Sequence, residues 1–210
     1  MLSSIFMASG SYVQIPLKCG QDHCLVGVMA DSHLPYRLKS LPPQIFSIFE
    51  DVDLILHAGD VDQFDYLAEL EQLAPVHAVR GNLHFTDLSD GGLATLPLDL
   101  KLEIAGYKVV VNHGGWSGFL SLAGDWFMEK IFDPSRQSVN RRIANRLLRR
   151  YPEADVLIFG HSHYPYKAQH GDSLLFNPGG VCPYQQFPAS VGKLRLSPNL
   201  VEAHVMQFNP

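Results

Sequence analysis

Five short apolar runs in this chain each stop at residues able to hold a metal ion, and that repeated ending limits the fold more than any other feature. Leu25–Ala30 runs into Asp31-Ser-His33, Asp53–Ala58 into Gly59-Asp60, and Pro75–Val79 into Gly81-Asn82-Leu-His84. Tyr107–Val111 leads to His113-Gly114, and Asp155–Phe159 to Gly160-His161-Ser-His163. A short apolar run bounded by turn residues reads as a buried strand. Between the first three lie Pro42–Glu50, with Ile45, Phe46, Ile48 and Phe49, and residues 63–73, with Phe64, Leu67, Leu70 and Leu73 at helical spacing. Strand, helix, strand, helix, strand at this spacing predicts right-handed crossovers and a parallel core.

The pattern then changes. Leu98, Leu100, Leu102 and Ile104 alternate with other residues, Gly106 turns, and Tyr107–Val111 returns, which predicts an antiparallel hairpin. Residues 115–135, holding Trp116 and Trp126, read as a short helical insert or lid whose aromatics pack as core, with base stacking as the alternative. Ser138–Tyr151 reads as a helix burying Val139, Ile143, Leu147 and Leu148, and two more hairpins close the chain at 165–176 and 191–208. With no internal repeat and no low-complexity linker, the 210 residues suit one α/β domain over 25–210, preceded by an N-terminal extension, 1–24.

Composition narrows the function. Hydrophobic residues make up 46%, which excludes global disorder. Only 18% are charged, with a net charge of −5, so the basic face needed for sequence-independent duplex binding is missing. That balance leaves room for cleaving a nucleotide in a metal-lined pocket. Three cysteines are too few for a disulfide scaffold, and Cys19-Gly-Gln-Asp-His-Cys24 lacks the second Cys/His pair of a structural zinc site. No run reaches the roughly 18 apolar residues of a membrane span. The first 20 residues lack the basic-then-apolar pattern of a signal peptide. The expectation is a cytoplasmic protein with no membrane partner.

Ligands of open α/β sheets sit beyond the carboxyl ends of the strands. Five strands would therefore bring Asp31, His33, Asp60, Asn82, His113, His161 and His163 to one edge. Taken singly, each has a plain alternative: Asp31 caps a turn, Gly59-Asp60 is only a turn, and His113-Gly114 is only a strand exit. Two imidazoles bracketing one residue, as in His161-Ser-His163, rarely serve packing, and the joint set points to metal. Mixed nitrogen and oxygen donors suit manganese, iron or zinc better than calcium or magnesium alone.

In this order, Asp31-x-His33, Gly59-Asp60, Gly81-Asn82, His113 and Gly160-His161-x-His163 resemble the motif set of the calcineurin-like metallophosphoesterases. With Asn177-Pro-Gly-Gly180 following, the chain is similar to the small bacterial and archaeal phosphodiesterases related to the retromer scaffold subunit. The resemblance implies a four-layer α/β/β/α sandwich over about residues 25–208. It implies two divalent ions, manganese first, with iron, zinc, nickel or magnesium as alternatives. Asp31, His33 and His163 would hold one ion, Asn82, His113 and His161 the other, and Asp60 would bridge them. Hydrolysis of a P–O bond would proceed through a hydroxide bridging ions about 3.5–4 Å apart. The implied substrate is a small phosphate diester or nucleotide, not a specific nucleic-acid sequence, and a homo-oligomer is left open.

One position departs from the family. Many members carry His directly after the Asn, where it protonates the leaving oxygen; here Leu83 stands there and His84 follows. His84 is the expected acid, with His57 as a residue that orients Asp60 or simply packs. Alternatives to the phosphodiesterase are a phosphomonoesterase, a pyrophosphate-bond hydrolase, or a non-catalytic interaction scaffold like the retromer subunit. Arg141, Arg142, Arg146, Arg149 and Arg150 read as a solvated or partner-facing helix face, with an approach path for an anionic substrate as the alternative. His23, His77, His170 and His204 read as ordinary, and the 177–180 glycines, by the resemblance, bring backbone N–H groups near the metals.

Overall fold

Alternation along the strands sends successive side chains into different apolar layers, and that alternation defines the architecture. The structure, a computed structural model, describes residues 12–18, 21–63, 65–81, 96–115 and 136–210. In chain order its strands are β1 (Val13–Ile15), β2 (Cys24–Met29), β3 (Leu54–His57), β4 (Val76–Ala78), β5 (Asp99–Ile104) and β6 (Tyr107–Asn112). Then come β7 (Val156–Ile158), β8 (Tyr166–His170), β9 (Ser173–Asn177), β10 (Ala189–Ser197) and β11 (Leu200–Phe208). The helices are α1 (Pro43–Ile48), α2 (Asp65–Leu70) and α3 (Arg136–Arg150).

Two sheets result. One runs β11-β10-β2-β3-β4, with β2, β3 and β4 parallel and the β10-β11 hairpin added antiparallel to β2. The other runs β1-β5-β6-β7-β9-β8, parallel between β6, β7 and β9 and antiparallel in its two hairpins. Val26, Val28, Leu54 and Leu56 of the first sheet meet Leu102, Val109, Val111, Val156 and Ile158 of the second in one buried layer. Their neighbours point the other way. Met29 and Ile55 pack with Ile45 and Phe49 beside α1 and with Leu67 and Leu70 of α2, while Val110, Leu157 and Leu175 pack with Ile143 and Leu147 of α3. The order is therefore helix, sheet, sheet, helix, the α/β/β/α sandwich that the resemblance implied. Burying each such side chain contributes about 1.5–3 kcal/mol before entropy is counted.

α1 begins where Pro43 occupies an early helical position, whose missing N–H would have no intrahelical partner anyway. Residues 13–15, within the stretch read as an extension, add a parallel strand beside β5, and Val13, Ile15 and Leu17 pack on the layer between the sheets. The insert at 116–135, with both tryptophans, lies outside the described residues. No helix among the described residues is long and apolar enough to cross a membrane.

Candidate metal centre

The parallel strands β2, β3, β6 and β7 all end at the same side of the sandwich, and their exits bring six of the seven expected ligands together. Asp31 and His33 follow β2, Asp60 follows β3, His113 follows β6, and His161 and His163 follow β7. Asn82, Leu83 and His84 lie outside the described residues. Asp31, His33, Asp60, His113 and His163 are buried, and His161 is half-buried.

The backbone is bent to deliver them. Of seven non-glycine residues with positive φ among those described, five are Asp31 (53°), His33 (48°), Asp60 (57°), His161 (71°) and His163 (56°). Such conformations cost on the order of 1–3 kcal/mol each and persist only where surrounding structure imposes them. The imposing bonds are visible: Asp31 N–H donates to Gly59 O (3.0 Å), His33 N–H to Asp60 O (3.3 Å) and Gly160 N–H to His113 O (3.1 Å). Two glycines make room. A Cβ at Gly81 would collide with the Asp60 carboxylate, and one at Gly59, where φ is +98°, would lie 2.6 Å from His113 Nδ1.

The imidazoles turn one nitrogen inward and tie the other outward. His33 Nε2 lies 3.3 Å from His163 Nε2 and 3.5 Å from Asp60 Oδ2, and His113 Nε2 lies 3.4 Å from the same oxygen. On the outer side His113 Nδ1–H donates to Ala58 O (2.9 Å) and His163 Nδ1–H to Cys182 O (3.2 Å). His33 Nδ1 faces the buried Asp62 carboxylate at 3.7 Å. A ring whose Nδ1 carries the donated hydrogen leaves the Nε2 lone pair for a cation, the usual arrangement of metal-binding histidines.

Two donor atoms here are buried with no hydrogen-bond partner, Asp31 Oδ2 and His113 Nε2. Ligand atoms of Asp31, His33 and His163 converge within 4.8 Å of one another, as do those of Asp31, Asp60 and His113. An orphaned carboxylate oxygen facing orphaned imidazole nitrogen is costly unless a cation joins them, so the residues present fit a metal.

Charge points the same way. Burial alone would raise the Asp60 pKa, but the charge of His113, with those of His33 and His161, holds this carboxyl well below the usual range. For His113 burial opposes protonation, and the Asp60 carboxylate more than reverses it, lifting the pKa to about 9. His161 is pushed down to about 3 by burial, with His113 adding to the effect, and burial lowers His163 as well. His161 and His163 are thus held neutral, while His113, charged beside the Asp60 carboxylate, would give up its Nε2 proton to a cation.

Residues behind the donors hold them in place. His57 Nδ1 accepts Gly59 N–H (3.2 Å), its Nε2 meets Ser32 Oγ (3.1 Å), and Ser32 donates to Asp60 O (3.2 Å). His57 thus acts on the Asp60 backbone, through Ser32, and burial keeps it neutral with a pKa near 3. Ser162, between the two imidazoles, donates to Asn140 Oδ1 of α3 (2.8 Å), and Asn177 Nδ2 reaches the same oxygen (3.1 Å) and Gly160 O (2.9 Å). Gly179 N–H goes to Asn177 Oδ1 (2.9 Å), and Gly180 is the glycine of this turn that meets a candidate ligand, since a Cβ there would stand 2.7 Å from His163 Nδ1. Arg146 leaves the solvated face of α3 and donates to Gly114 O, whereas Arg141, Arg142 and Arg149 are exposed.

A paired-sheet sandwich with this cluster at its strand ends is the architecture of a metal-dependent phosphoesterase. The chain belongs to the calcineurin-like phosphoesterase superfamily, whose domain model matches residues 25–197. It is 33% identical to a probable metallophosphoesterase of Methanothermobacter thermautotrophicus over 87% of this chain and 92% of that protein. A phosphodiesterase of Methanocaldococcus jannaschii is 27% identical over 80% of this chain and 91% of that protein. Among solved structures, Vacuolar Protein Sorting 29 from Cryptosporidium parvum superposes with a TM-score of 0.64 at 19% identity, covering 90% of this chain and 100% of that one. A structure described as a novel archaeal phosphodiesterase gives a TM-score of 0.55 at 24% identity, over 88% of this chain and 99% of that one. At those identities the structural likeness concerns the fold.

Proposed function

We propose that the protein is a dinuclear metal-dependent phosphodiesterase acting on a small or nucleotide-like phosphate ester. The observation that carries this reading is the pair of donor groups sharing Asp31, with orphaned Asp31 Oδ2 and His113 Nε2 between them. In this assignment Asp31, His33 and His163 hold one ion, His113, His161 and Asn82 the other, and Asp60 lies between. Bound divalent ions, manganese first among them, would neutralise phosphoryl oxygens and lower the pKa of a water. The chain's own part is to hold His161 and His163 neutral, keep the imidazoles aimed and Asp60 ionised, and leave Asp31 Oδ2 without a hydrogen-bond partner. Neither a nucleophilic side chain nor a cysteine thiol is required; burial pushes the Cys182 thiol up, against thiolate formation.

A phosphodiesterase of similar sequence over most of both chains supports the diester over the monoester. Retention of the inward-turned imidazoles supports a working centre over a scaffold. The leaving-group proton is assigned to His84. His84→Ala should slow a diester with a poor leaving group by at least about tenfold and spare an aryl diester, since acid catalysis contributes most where the leaving oxygen is basic. Equal loss on both substrates removes His84 from that role.

The test is hydrolysis of bis-p-nitrophenyl phosphate beside p-nitrophenyl phosphate by chelated protein reloaded with manganese. Metal-dependent turnover favouring the diester is expected. Preference for the monoester makes the protein a phosphatase, and absence of turnover with metal bound returns the scaffold to the front.

A further inference from the structure

Arg37 is an exposed guanidinium with no carboxylate partner among the described residues, yet it is held beside the metal centre. Its backbone N–H donates to His33 O (2.9 Å), so the turn leaving His33 fixes where the side chain starts. Its guanidinium charge acts on the Cys182 thiol, opposing the rise that burial gives its pKa, and the Cys182 carbonyl accepts the Nδ1–H of His163. That is the edge of the imidazole turned away from the Nε2 cluster, so Arg37 sits outboard of the donors.

The rim continues past Arg37. The half-buried Tyr184 ring lies 5.2 Å from the His163 ring, tilted by 35°, and Arg136 Cζ stands 4.5 Å from the Tyr184 ring centre. Tyr36, beside Arg37 in the chain, is 64% exposed. Two guanidinia thus gather on the His163 side of the centre in a chain whose net charge is −5. A guanidinium presents a planar fork that matches phosphate or carboxylate oxygens, and its charge-assisted bonds are stronger than neutral ones. A scissile phosphate bound at ions held by the inward Nε2 atoms would leave this rim to whatever else the substrate carries.

We propose that Arg37, together with Arg136 over the Tyr184 ring, forms a second anion subsite that selects phosphate esters bearing a further phosphate or carboxylate group. The subsite rests on the phosphoesterase reading of the centre, because it is defined relative to a phosphate bound there.

The experiment is calorimetric binding of thymidine 5′-monophosphate and thymidine 3′,5′-bisphosphate to the manganese-loaded full chain. The two differ only by the added phosphate. The bisphosphate should bind at least about tenfold more tightly, the scale of one charged hydrogen-bonded contact. Arg37→Gln should shrink that ratio at least about fivefold and Arg136→Gln by less. Arg195→Gln, an exposed cation on β10 opposite the start of β2, should leave the ratio intact. Equal affinities in the unmodified protein, an unchanged ratio in Arg37→Gln, or an equal fall in Arg195→Gln would each overturn the subsite. Because binding needs no turnover, a protein that fails to cleave the diester sinks the phosphodiesterase reading and still returns the ratio.

Discussion

The two ends of the sandwich use the same residue type in opposite ways. At the starts of the parallel strands, Asp53 accepts Leu25 N–H (2.9 Å) and meets Lys18 (2.6 Å), while Asp155 accepts Lys108 N–H (2.7 Å). Each carboxylate there ties one strand to its neighbour. Burial works against ionised Asp53, but the Leu25 N–H and Lys18 outweigh it and lower its pKa. At the other end Asp31 and Asp60 crowd against imidazoles, adopt positive φ, and leave Asp31 Oδ2 without a partner. One end is satisfied by the chain itself; the other keeps a buried carboxylate oxygen that the described residues leave unpartnered. Strain and unpaired polar atoms collect at functional sites because stability supplied elsewhere sustains them.

Exchanging a carboxylate at each end sharpens the contrast. Asp31→Ala should lower diester turnover by at least about a thousandfold, because both groups of donors lose a member, with a thermal midpoint for the chelated protein that stays level or rises. Asp53→Ala should do the reverse: a loss of about 1–3 kcal/mol in urea unfolding, the scale of charged hydrogen bonds, with metal content untouched. If both variants lose stability equally while keeping metal, the division between the ends fails.

The smallest expected effect concerns His57. Its pKa falls from 6.5 to about 3 on folding, through burial, so between those values the unfolded chain binds the extra proton. Stability from this group is present above pH 6.5 and lost as pH falls toward 3, by about 1.4 kcal/mol per pH unit. Urea titrations of chelated His57→Gln between pH 7 and 5 should show a shallower loss than the unmodified protein. An unchanged slope would mean that His57 is protonated when folded.

Much of this was legible in the chain, and the reasons differ by element. β2, β3 and β7 announced themselves because apolar runs that fill two layers stop abruptly at polar turns. β1 did not: Val13-Gln-Ile15 is three residues on a sheet edge, too short to show a period. Spacing brought the ligands to one edge, and the structure adds how they are aimed. Asp62, which faces His33 Nδ1, has no sequence signal, because a carboxylate two residues past Asp60 has no pattern of its own. Ala58 and Cys182 hold their histidines through backbone carbonyls, which every residue carries and no sequence motif reveals. His57 showed itself as a buried histidine, but its path to Asp60 runs through Ser32, an ordinary loop serine until the chain folds.

The central claim is that Asp60 stands between two ions, and counting metal tests it most directly. Chelated protein reloaded with manganese, freed of loose metal by desalting and measured by plasma mass spectrometry, should hold two ions per chain. Asp60→Ala should hold one at most. A single ion in the unmodified protein, or two persisting in Asp60→Ala, would contradict the account.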